Sequence, residues 1–269
     1  MATCSLGNDA ADEANDPGAA SFGNFINYYT FNPPENRLSL IPATLLQDLG
    51  FGDGRHPTEI LDVGCNSGEL SIAFYKHVVQ QPVCELESDQ THVHLLGCDL
   101  DDVLIHRAQQ ANPLPCSITF LQLDVMKDAE QLQDYLQQRG CSCFHVCLCL
   151  AVTMWVHLHH GDSGLLRLLS HLASISQHLL LEAQPWKCYR SAARRLRKLG
   201  RADFDHFKAL KIRGDIAGHA REHLERHCGM ELIQSFGSTT WDRELLLFKK
   251  RCEKEEFSSE AEDQQGDEL

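Results

Sequence analysis

The sequence predicts an α/β fold in which a parallel sheet carries helices on both faces. Strand-type and helix-type segments alternate from residue 58 to residue 183, which is typical of parallel strands joined by crossover helices. The chain has 269 residues and is 43% hydrophobic, so it can bury a sizeable core. These two observations exclude a wholly disordered chain.

Seven strands are predicted, each as a short apolar or β-branched run. In chain order they are Thr58–Val63, His92–Cys98, Ser117–Leu123, Phe144–Ala151, His178–Ala183, Glu231–Phe236 and Arg243–Phe248. Five helices are predicted from the spacing of apolar residues and from turn residues at their ends. They are Glu69–Val79, Asp102–Ala111, Ala129–Arg139, a helix from about Ser163 to Gln177, and Tyr189–Leu199.

Ligands of such sheets bind beyond the carboxyl ends of the strands. The candidate site is therefore the set of strand-end loops at 64–68, 99–101, 124–126 and 150–160.

Charge divides the chain into three parts. Residues 1–20 and 251–269 have net charges of −4 and −6 and are expected to be disordered acidic tails, flanking one domain at 21–250. The whole chain has a net charge of −14, which at first argues against a nucleic-acid partner. However, residues 187–213 carry ten Lys and Arg against two Asp, a net charge of +8. An acidic average therefore hides a candidate RNA-binding surface.

The sequence favours a cytoplasmic monomer without a metal. No apolar run reaches the roughly 18–20 residues of a membrane span, and the N-terminal residues do not resemble a signal peptide. The twelve cysteines are then expected to be free thiols in a reducing compartment. C-x-C pairs over residues 141–149 are predicted to be buried strand thiols, since zinc ligands have a different spacing. The histidines at 157, 159 and 160 lack a recognisable set of metal-ligand partners, and those at 219, 223 and 227, four apart on one helical face, are predicted to lie on a solvated helix surface.

The turn after the first predicted strand is the most informative segment. Gly64 and Gly68 permit a tight turn and a close approach of a ligand to the backbone. Asn66, between them, is a residue type that tolerates a left-handed conformation. The G-x-G-x-x-G pattern fails at residues 66 and 69, and no G-x-x-x-x-G-K-[ST] motif is present. Neither NAD nor ATP is therefore favoured.

Acidic residues end the next two predicted strands. Asp99 is placed to accept hydrogen bonds from ribose hydroxyls, and Asp124 with the N–H of Val125 can read an adenine edge. Together with the glycine turn, this ordered set resembles the class I S-adenosylmethionine-dependent methyltransferases. The resemblance implies a Rossmann-like seven-stranded sheet and S-adenosyl-L-methionine as cofactor. Nicotinamide enzymes are the nearest competitor, disfavoured by the glycine spacing.

Four further segments carry a closer resemblance. They are FGNFINYY at 22–29, Arg37-Leu38, VTMWVHL at 152–158 and EAQPW at 182–186. Together they resemble the bicoid-interacting-protein-three family, whose members methylate the 5′-terminal phosphate of RNA. The resemblance covers about residues 21–250. It is strongest to members that act on 5′-monophosphate ends, such as those of precursor microRNA and histidine tRNA.

The resemblance also implies roles for single residues. Arg37 would bind the methionine carboxylate of the cofactor, Asn66 would lie beside its amino-acid end, and Leu150 would lie along its methionine portion. The full implied cofactor set is Arg37, Gly64, Asn66, Asp99, Asp124, Val125 and Leu150.

The predicted phosphate site departs from that of a triphosphate-capping relative. Tyr28 matches a tyrosine that reaches the RNA phosphate there. Asn32 stands where that relative has an arginine, and Met154 where it has a lysine. The loss of two cations suits a less charged end, so the departures favour a monophosphate.

Methylation of a monophosphate requires no strong general base, because its second pKa is about 6 and its oxygens are already anionic. Catalysis then rests on holding oxygen, methyl and sulfur in line. Tyr28 and His157 are predicted to hold the phosphate, and Trp186 to stack on the terminal base. Each of the three could instead be a core residue.

The basic helix is predicted to contact RNA phosphates, because a solvated surface helix would normally mix charges of both signs. Leu196 and Leu199 are available for burial on its other face. The predicted RNA-binding cations are Lys187, Arg190, Arg194, Arg195, Arg197 and Lys198. The implied partner is a small RNA with a 5′-monophosphate end. Two alternatives stay open: a methyltransferase for a protein or small molecule, and a cofactor-binding RNA chaperone without catalysis.

Overall fold

The computed structural model describes residues 22–52, 54, 56–79 and 92–251. The two predicted tails lie outside the described residues, apart from Arg251. Within the described part, seven strands form one sheet. They are β1 (Thr58–Val63), β2 (Val93–Asp99), β3 (Ile118–Gln122), β4 (Phe144–Leu150), β5 (Ser176–Glu182), β6 (Met230–Ser238) and β7 (Glu244–Lys250).

The strand order is β3-β2-β1-β4-β5-β7-β6. Strands β1 to β5 run parallel, whereas β7 lies antiparallel between β5 and β6. The predicted α/β class and its seven strands are confirmed. Strand order reverses beside β1, which pairs with β2 on one side and β4 on the other. Such a reversal opens a crevice at the carboxyl ends of these strands.

Nine helices are described in the same ranges. They are α1 (Tyr28–Phe31), α2 (Glu35–Leu38), α3 (Leu45–Asp48), α4 (Glu69–Val79), α5 (Asp102–Ala111), α6 (Ala129–Gln138), α7 (Thr153–Ile175), α8 (Trp186–Lys198) and α9 (Ile216–His227). Side chains that alternate along β1 feed two core clusters, Leu61 on one face and Ile60 on the other. Helices therefore cover both faces of the sheet, as predicted.

The largest correction to the sequence analysis concerns α7, which begins at Thr153 and not near Ser163. Its first turn is capped from a distant loop: Gln184 Oε1 accepts hydrogen bonds from Thr153 Oγ1 and from the Met154 N–H, both at 3.1 Å. Gly161, at φ +69°, interrupts the helical geometry, which explains why the local pattern resembled a loop. Most of the predicted loop at 150–160 is therefore helical.

Smaller corrections follow from packing. Helix α8 begins at Trp186, and Leu199, which was available for burial, is 43% exposed beyond its end. Strand β4 begins at Phe144, so Cys147 and Cys149 are buried strand thiols, whereas the cysteines at 141 and 143 precede the strand and are half-buried. Among the helices of the described residues, none combines the length and apolar character that crossing a bilayer demands.

Candidate functional site

A cavity of about 360 Å³ lies at the carboxyl ends of the parallel strands. All seven residues of the predicted cofactor set line it: Arg37, Gly64, Asn66, Asp99, Asp124, Val125 and Leu150. They come from the turn after β1, the ends of β2, β3 and β4, and helix α2. The parallel pairing of these strands brings together groups as far apart in sequence as Gly64 and Leu150, which are separated by 86 residues.

The glycine turn has the backbone that the sequence predicted. Gly64 has φ +71°, and a Cβ there would lie 2.5 Å from Val152 Cγ2, so only glycine fits. Asn66 has φ +53°, the left-handed conformation expected of it. Its N–H donates to Asp99 Oδ2 at 2.9 Å, and its Oδ1 accepts from the Ser67 N–H at 2.8 Å. The turn is thereby fixed against the acid that ends β2.

Arg37 presents a buried cation to the cavity. Its side chain forms an ion pair with Glu182, and its Nη2 donates to the Tyr28 hydroxyl at 2.9 Å. Arg243 Nη1 donates to the same Glu182 carboxylate at 2.9 Å. Arg37 Nη1 has no hydrogen-bond partner within the described part of the chain. A buried N–H of this kind requires an acceptor, and an anionic ligand group in the cavity would supply one.

Asp62 is a cavity residue that the sequence analysis did not single out. It is buried at the end of β1 and accepts a hydrogen bond from Ser71 Oγ at 2.6 Å. Burial raises the pKa of Asp62 to about 7, although the Ser71 hydroxyl and Arg37 act in the opposite direction. The signal in the sequence that could have identified Asp62 is an acidic residue two positions before Gly64, the first glycine of the turn. The Asp62 side chain adds a third carboxylate to those of Asp99 and Asp124.

The structure separates the two predicted phosphate holders. Tyr28 lines the cavity, but His157 does not and is fully buried on the other side of α7. Asp162 Oδ1 lies 2.7 Å from His157 Nε2, and the Tyr189 hydroxyl lies 3.0 Å from Nδ1. Because burial lowers the pKa of His157, the neutral ring donates from Nε2 and accepts at Nδ1. The prediction that His157 holds the phosphate is therefore corrected.

The start of α7 at Thr153 explains that correction. On a helix, residues three and four apart share a face. The residues of this helix that face the cavity are Trp155, Val156, His159 and His160. All four lie in the segment 150–160 that the sequence placed in the candidate site, but as a loop, and none of them was predicted individually as a site residue.

Trp186 is also not a cavity residue. Its ring stacks on Tyr189 with centroids 5.0 Å apart and on Phe207 at 5.5 Å with an interplanar angle of 4°. The guanidinium of Arg213 lies 5.2 Å from the Trp186 ring. These contacts pack α8 against residues 204–213 and leave Trp186 half-buried outside the cavity, so its stacking on the terminal base stays a prediction.

The cavity is not a cationic clamp. Asn32 and Met154, the two departures noted in the sequence, do not line it: Asn32 Nδ2 donates to the Tyr28 carbonyl at 3.2 Å, and Met154 is buried in the core. Among the described lining residues, the Lys and Arg side chains are Arg37 and Lys127. Each is paired with a carboxylate, Lys127 with Asp124 at 2.7 Å.

All six predicted RNA-binding cations of α8 are exposed, whereas Tyr189, Ala192, Ala193 and Leu196 on the other face are buried. Lys187 pairs with Asp242 at 2.9 Å, and Arg197 lies 3.9 Å from Asp203. The Arg195 guanidinium lies 5.8 Å from the centroid of the Phe25 ring. Phe25 in turn meets Trp155 edge-on at 5.9 Å, and Trp155 lines the cavity. The basic face is therefore linked to a wall of the cavity through Phe25 and Trp155.

No group of three His, Cys, Asp or Glu side chains in the described ranges could hold a metal ion. The histidines at 219–227 lie on α9, where the rings of His223 and His227 are 5.4 Å apart.

Three comparisons with known proteins agree with this geometry. The sequence model of the family described as Bicoid-interacting protein 3 matches residues 144–250. A protein of Danio rerio named pre-miRNA 5′-monophosphate methyltransferase is 63% identical, over 90% of this chain and 96% of its own length. A Homo sapiens protein named RNA 5′-monophosphate methyltransferase is 51% identical, over 87% of this chain and 82% of its own length.

Among solved structures, magnesium protoporphyrin IX methyltransferase of Synechocystis, crystallised with bound S-adenosylmethionine, superposes with a TM-score of 0.50. It is 16% identical, and the match covers 93% of this chain and all of that chain. At this identity the likeness supports the fold alone.

Proposed function

Because the chain belongs to the Bicoid-interacting protein 3 family, we propose that it transfers a methyl group from S-adenosyl-L-methionine to the 5′-monophosphate of a small RNA. Precursor microRNA and histidine tRNA are the substrates of this class that the sequence resemblance implies. The observation that carries the proposal is the cavity, which is lined by all seven predicted cofactor residues, one of them the buried Arg37, whose Nη1 has no partner among the described residues. The RNA substrate class is supported by near full-length relatives named for it.

The cavity residues fit the cofactor. The unpartnered Nη1 of Arg37 would bind the methionine carboxylate, and Gly64, which lines the cavity without a side chain, would let the ligand approach the backbone of the turn. Asp99 would accept from the ribose hydroxyls, and Asp124 with Val125 would contact the adenine. When bound, the cofactor supplies an electrophilic methyl group on a sulfonium sulfur.

The chain's own residues then have to orient the RNA phosphate. The Tyr28 hydroxyl accepts a hydrogen bond from Arg37 Nη2 at 2.9 Å, and Tyr28 lines the same cavity. Because Arg37 donates to the hydroxyl oxygen, the O–H of Tyr28 can still donate a hydrogen bond to a phosphate oxygen. That hydrogen bond would orient the phosphate for in-line attack on the methyl group. A dense set of cations would lower the nucleophilicity of that oxygen, and the lining cations already pair with Glu182 and Asp124. A cavity whose cations are already paired with carboxylates suits a monophosphate, which carries less charge than a triphosphate.

The exposed cations of α8 would neutralise the backbone beyond the terminal nucleotide. The acidic average of the chain does not oppose this, because RNA responds to the local field of one surface. Arg195, which contacts Phe25 near the cavity, would be the first cation that the RNA meets.

The decisive experiment presents matched RNAs that end in a 5′-hydroxyl, a 5′-monophosphate or a 5′-triphosphate, together with labelled S-adenosyl-L-methionine. Methyl incorporation is expected into the monophosphate RNA far above the other two. Equal labelling of all three ends would contradict a terminal-phosphate substrate and favour the alternative of a protein or small-molecule methyltransferase. Cofactor binding by isothermal titration without turnover on phosphorylated RNA would favour the RNA chaperone.

We also propose that the protein acts in the cytoplasm as a monomer. All nine cysteines in the described ranges are free, which fits a reducing compartment. Imaging of a tagged chain and sedimentation of the purified protein would test the two statements.

A further inference from the structure

Phe22 and His159 form a stacked ring pair at the rim of the cavity. Their ring centroids are 4.2 Å apart, and the planes are inclined by 18°. Both residues line the cavity, yet Phe22 remains 47% exposed. Phe204 meets the His159 ring edge-on at 5.4 Å and supports it from the protein side. A large apolar ring that is half exposed at a cavity mouth offers a flat surface to a ligand.

The segment that carries Phe22 is held in place on both sides. Gly23 packs so closely on Trp155 that a Cβ would lie 2.2 Å from the indole nitrogen. Asn24 Nδ2 donates to Asp101 Oδ2 at 2.7 Å, and the Phe25 carbonyl accepts from Asn66 Nδ2 at 3.1 Å. The ring pair is therefore presented by a fixed backbone, which lowers the entropic cost of binding a flat group.

The size of the cavity decides what can reach this rim. At about 360 Å³ it lies at the low end of the roughly 300–1,000 Å³ typical of ligand pockets. It can hold one small molecule, which under the proposed function is the cofactor. The terminal phosphate of the RNA can then enter, but the nucleotide that carries it must lie at the mouth.

We propose that the Phe22–His159 pair is the platform on which the 5′-terminal nucleobase of the RNA stacks. The proposal rests on the proposed function and names a subsite for its substrate. Arg195, a residue of α8 that contacts Phe25, would then bind the RNA backbone beyond the first nucleotide. Stacking tolerates every base, because each has a π face, so the platform orients the terminal nucleotide without selecting its identity.

The test is a double-mutant cycle between protein ring and RNA base. Equilibrium binding of 5′-monophosphorylated RNA is measured with S-adenosylhomocysteine saturating, using one RNA with an intact first nucleotide and one in which that nucleotide is abasic. F22A is expected to weaken binding of the intact RNA about tenfold, and F22W to restore it. The abasic RNA is expected to bind the unaltered chain about tenfold more weakly, with no further loss in F22A.

F31A is the matched control, because Phe31 is 65% exposed on α1 and does not line the cavity. It is expected to leave RNA binding within twofold. An equal loss in F22A on intact and abasic RNA would overturn the platform. So would a variant that loses affinity for S-adenosylhomocysteine but binds RNA normally at saturation, since the ring would then stack on the cofactor's adenine. The double-mutant cycle measures RNA binding and not methyl transfer. A chain that binds the RNA but fails to methylate it would therefore contradict the proposed function, while the platform would still be judged by the binding data.

Discussion

The guanidinium of Arg37 is buried against the carboxylate of Glu182, which also accepts hydrogen bonds from Arg243 and, at 3.5 Å, from Trp241 Nε1. Arg37 is fully buried at the cavity wall, and Glu182 ends β5. One carboxylate therefore positions two guanidinium groups, of which only that of Arg37 reaches the cavity. In this arrangement the charge of Arg37 is balanced by Glu182, and its Nη1 is left without a partner among the described residues.

R37K is expected to weaken binding of S-adenosylhomocysteine by about tenfold or more, roughly 1.4 kcal/mol. A lysine ammonium cannot reproduce the planar fork that contacts Glu182, Tyr28 and a ligand carboxylate together. Isothermal titration measures the loss. R243K is the control, since Arg243 contacts the same Glu182 but does not line the cavity, and it should change the affinity less than threefold. Equal losses in both variants would remove Arg37 from the cofactor site.

Asp62 is expected to make stability depend on pH. Burial raises its pKa from 3.8 to about 7, so between these values the folded chain keeps a proton that the unfolded chain has released. Stability from this group therefore falls as pH rises through that window. D62N removes the effect, and its stability relative to the unaltered chain should rise by about 2 kcal/mol between pH 5 and pH 7.

D124N is the control for that experiment. Although burial acts to raise it, hydrogen bonds from Lys127 and the Met126 N–H hold the pKa of Asp124 below its ordinary value. The contribution of Asp124 to the free energy of unfolding is therefore complete above the ordinary aspartate pKa and is lost only as the pH falls below it. Denaturant unfolding at pH 5, 6 and 7 should therefore show a constant difference for D124N. A constant difference for D62N as well would refute the shifted pKa of Asp62.

The cations of α8 are expected to supply the salt dependence of RNA binding. Replacing Arg194, Arg195 and Arg197 by Gln should weaken RNA binding and reduce the slope of log K against log salt by about 2, while cofactor affinity stays unchanged. The control replaces three exposed cations elsewhere: Arg221, Arg226 and Lys249. If both triple variants shift the slope equally, the charge acts through the whole molecule and α8 is not the contact surface.

His157 is expected to act on stability and on the RNA surface together. H157F leaves the Asp162 carboxylate and the Tyr189 hydroxyl without their buried partner, which should cost about 2 kcal/mol of unfolding free energy. Asp162 also accepts from the N–H groups of Lys211 and Ile212 at 2.9 and 3.2 Å, so residues 204–213 should loosen and RNA binding weaken.

Y189F is the companion variant, since it removes only the hydroxyl and should cost about 1 kcal/mol. Both variants are compared by denaturant unfolding and by steady-state kinetics with RNA. A large fall in kcat in H157F at unchanged stability would instead restore the phosphate-holding role that the sequence suggested.

Local sequence patterns were sufficient to predict where much of the site lies. A strand that ends in a glycine turn and two later strands that end in acids were sufficient to place Gly64, Asp99 and Asp124 at one edge of a parallel sheet. The edge is shared because parallel strands end on the same side. Asp62 was visible in the same stretch, but its importance depends on burial, which pattern does not measure.

The chain's sequence by itself determined the α/β class, the seven strands, the cofactor loop and the one-sided charge of residues 187–213, because these follow from periodicity, turn chemistry and composition. Only the tertiary structure decided the start of α7, since its cap, Gln184, lies thirty residues further along the chain. That start rotates His157 into the core and turns His159 toward the cavity, where Phe22 stacks on it. Which face a side chain occupies depends on such distant contacts, and they are absent from any local pattern.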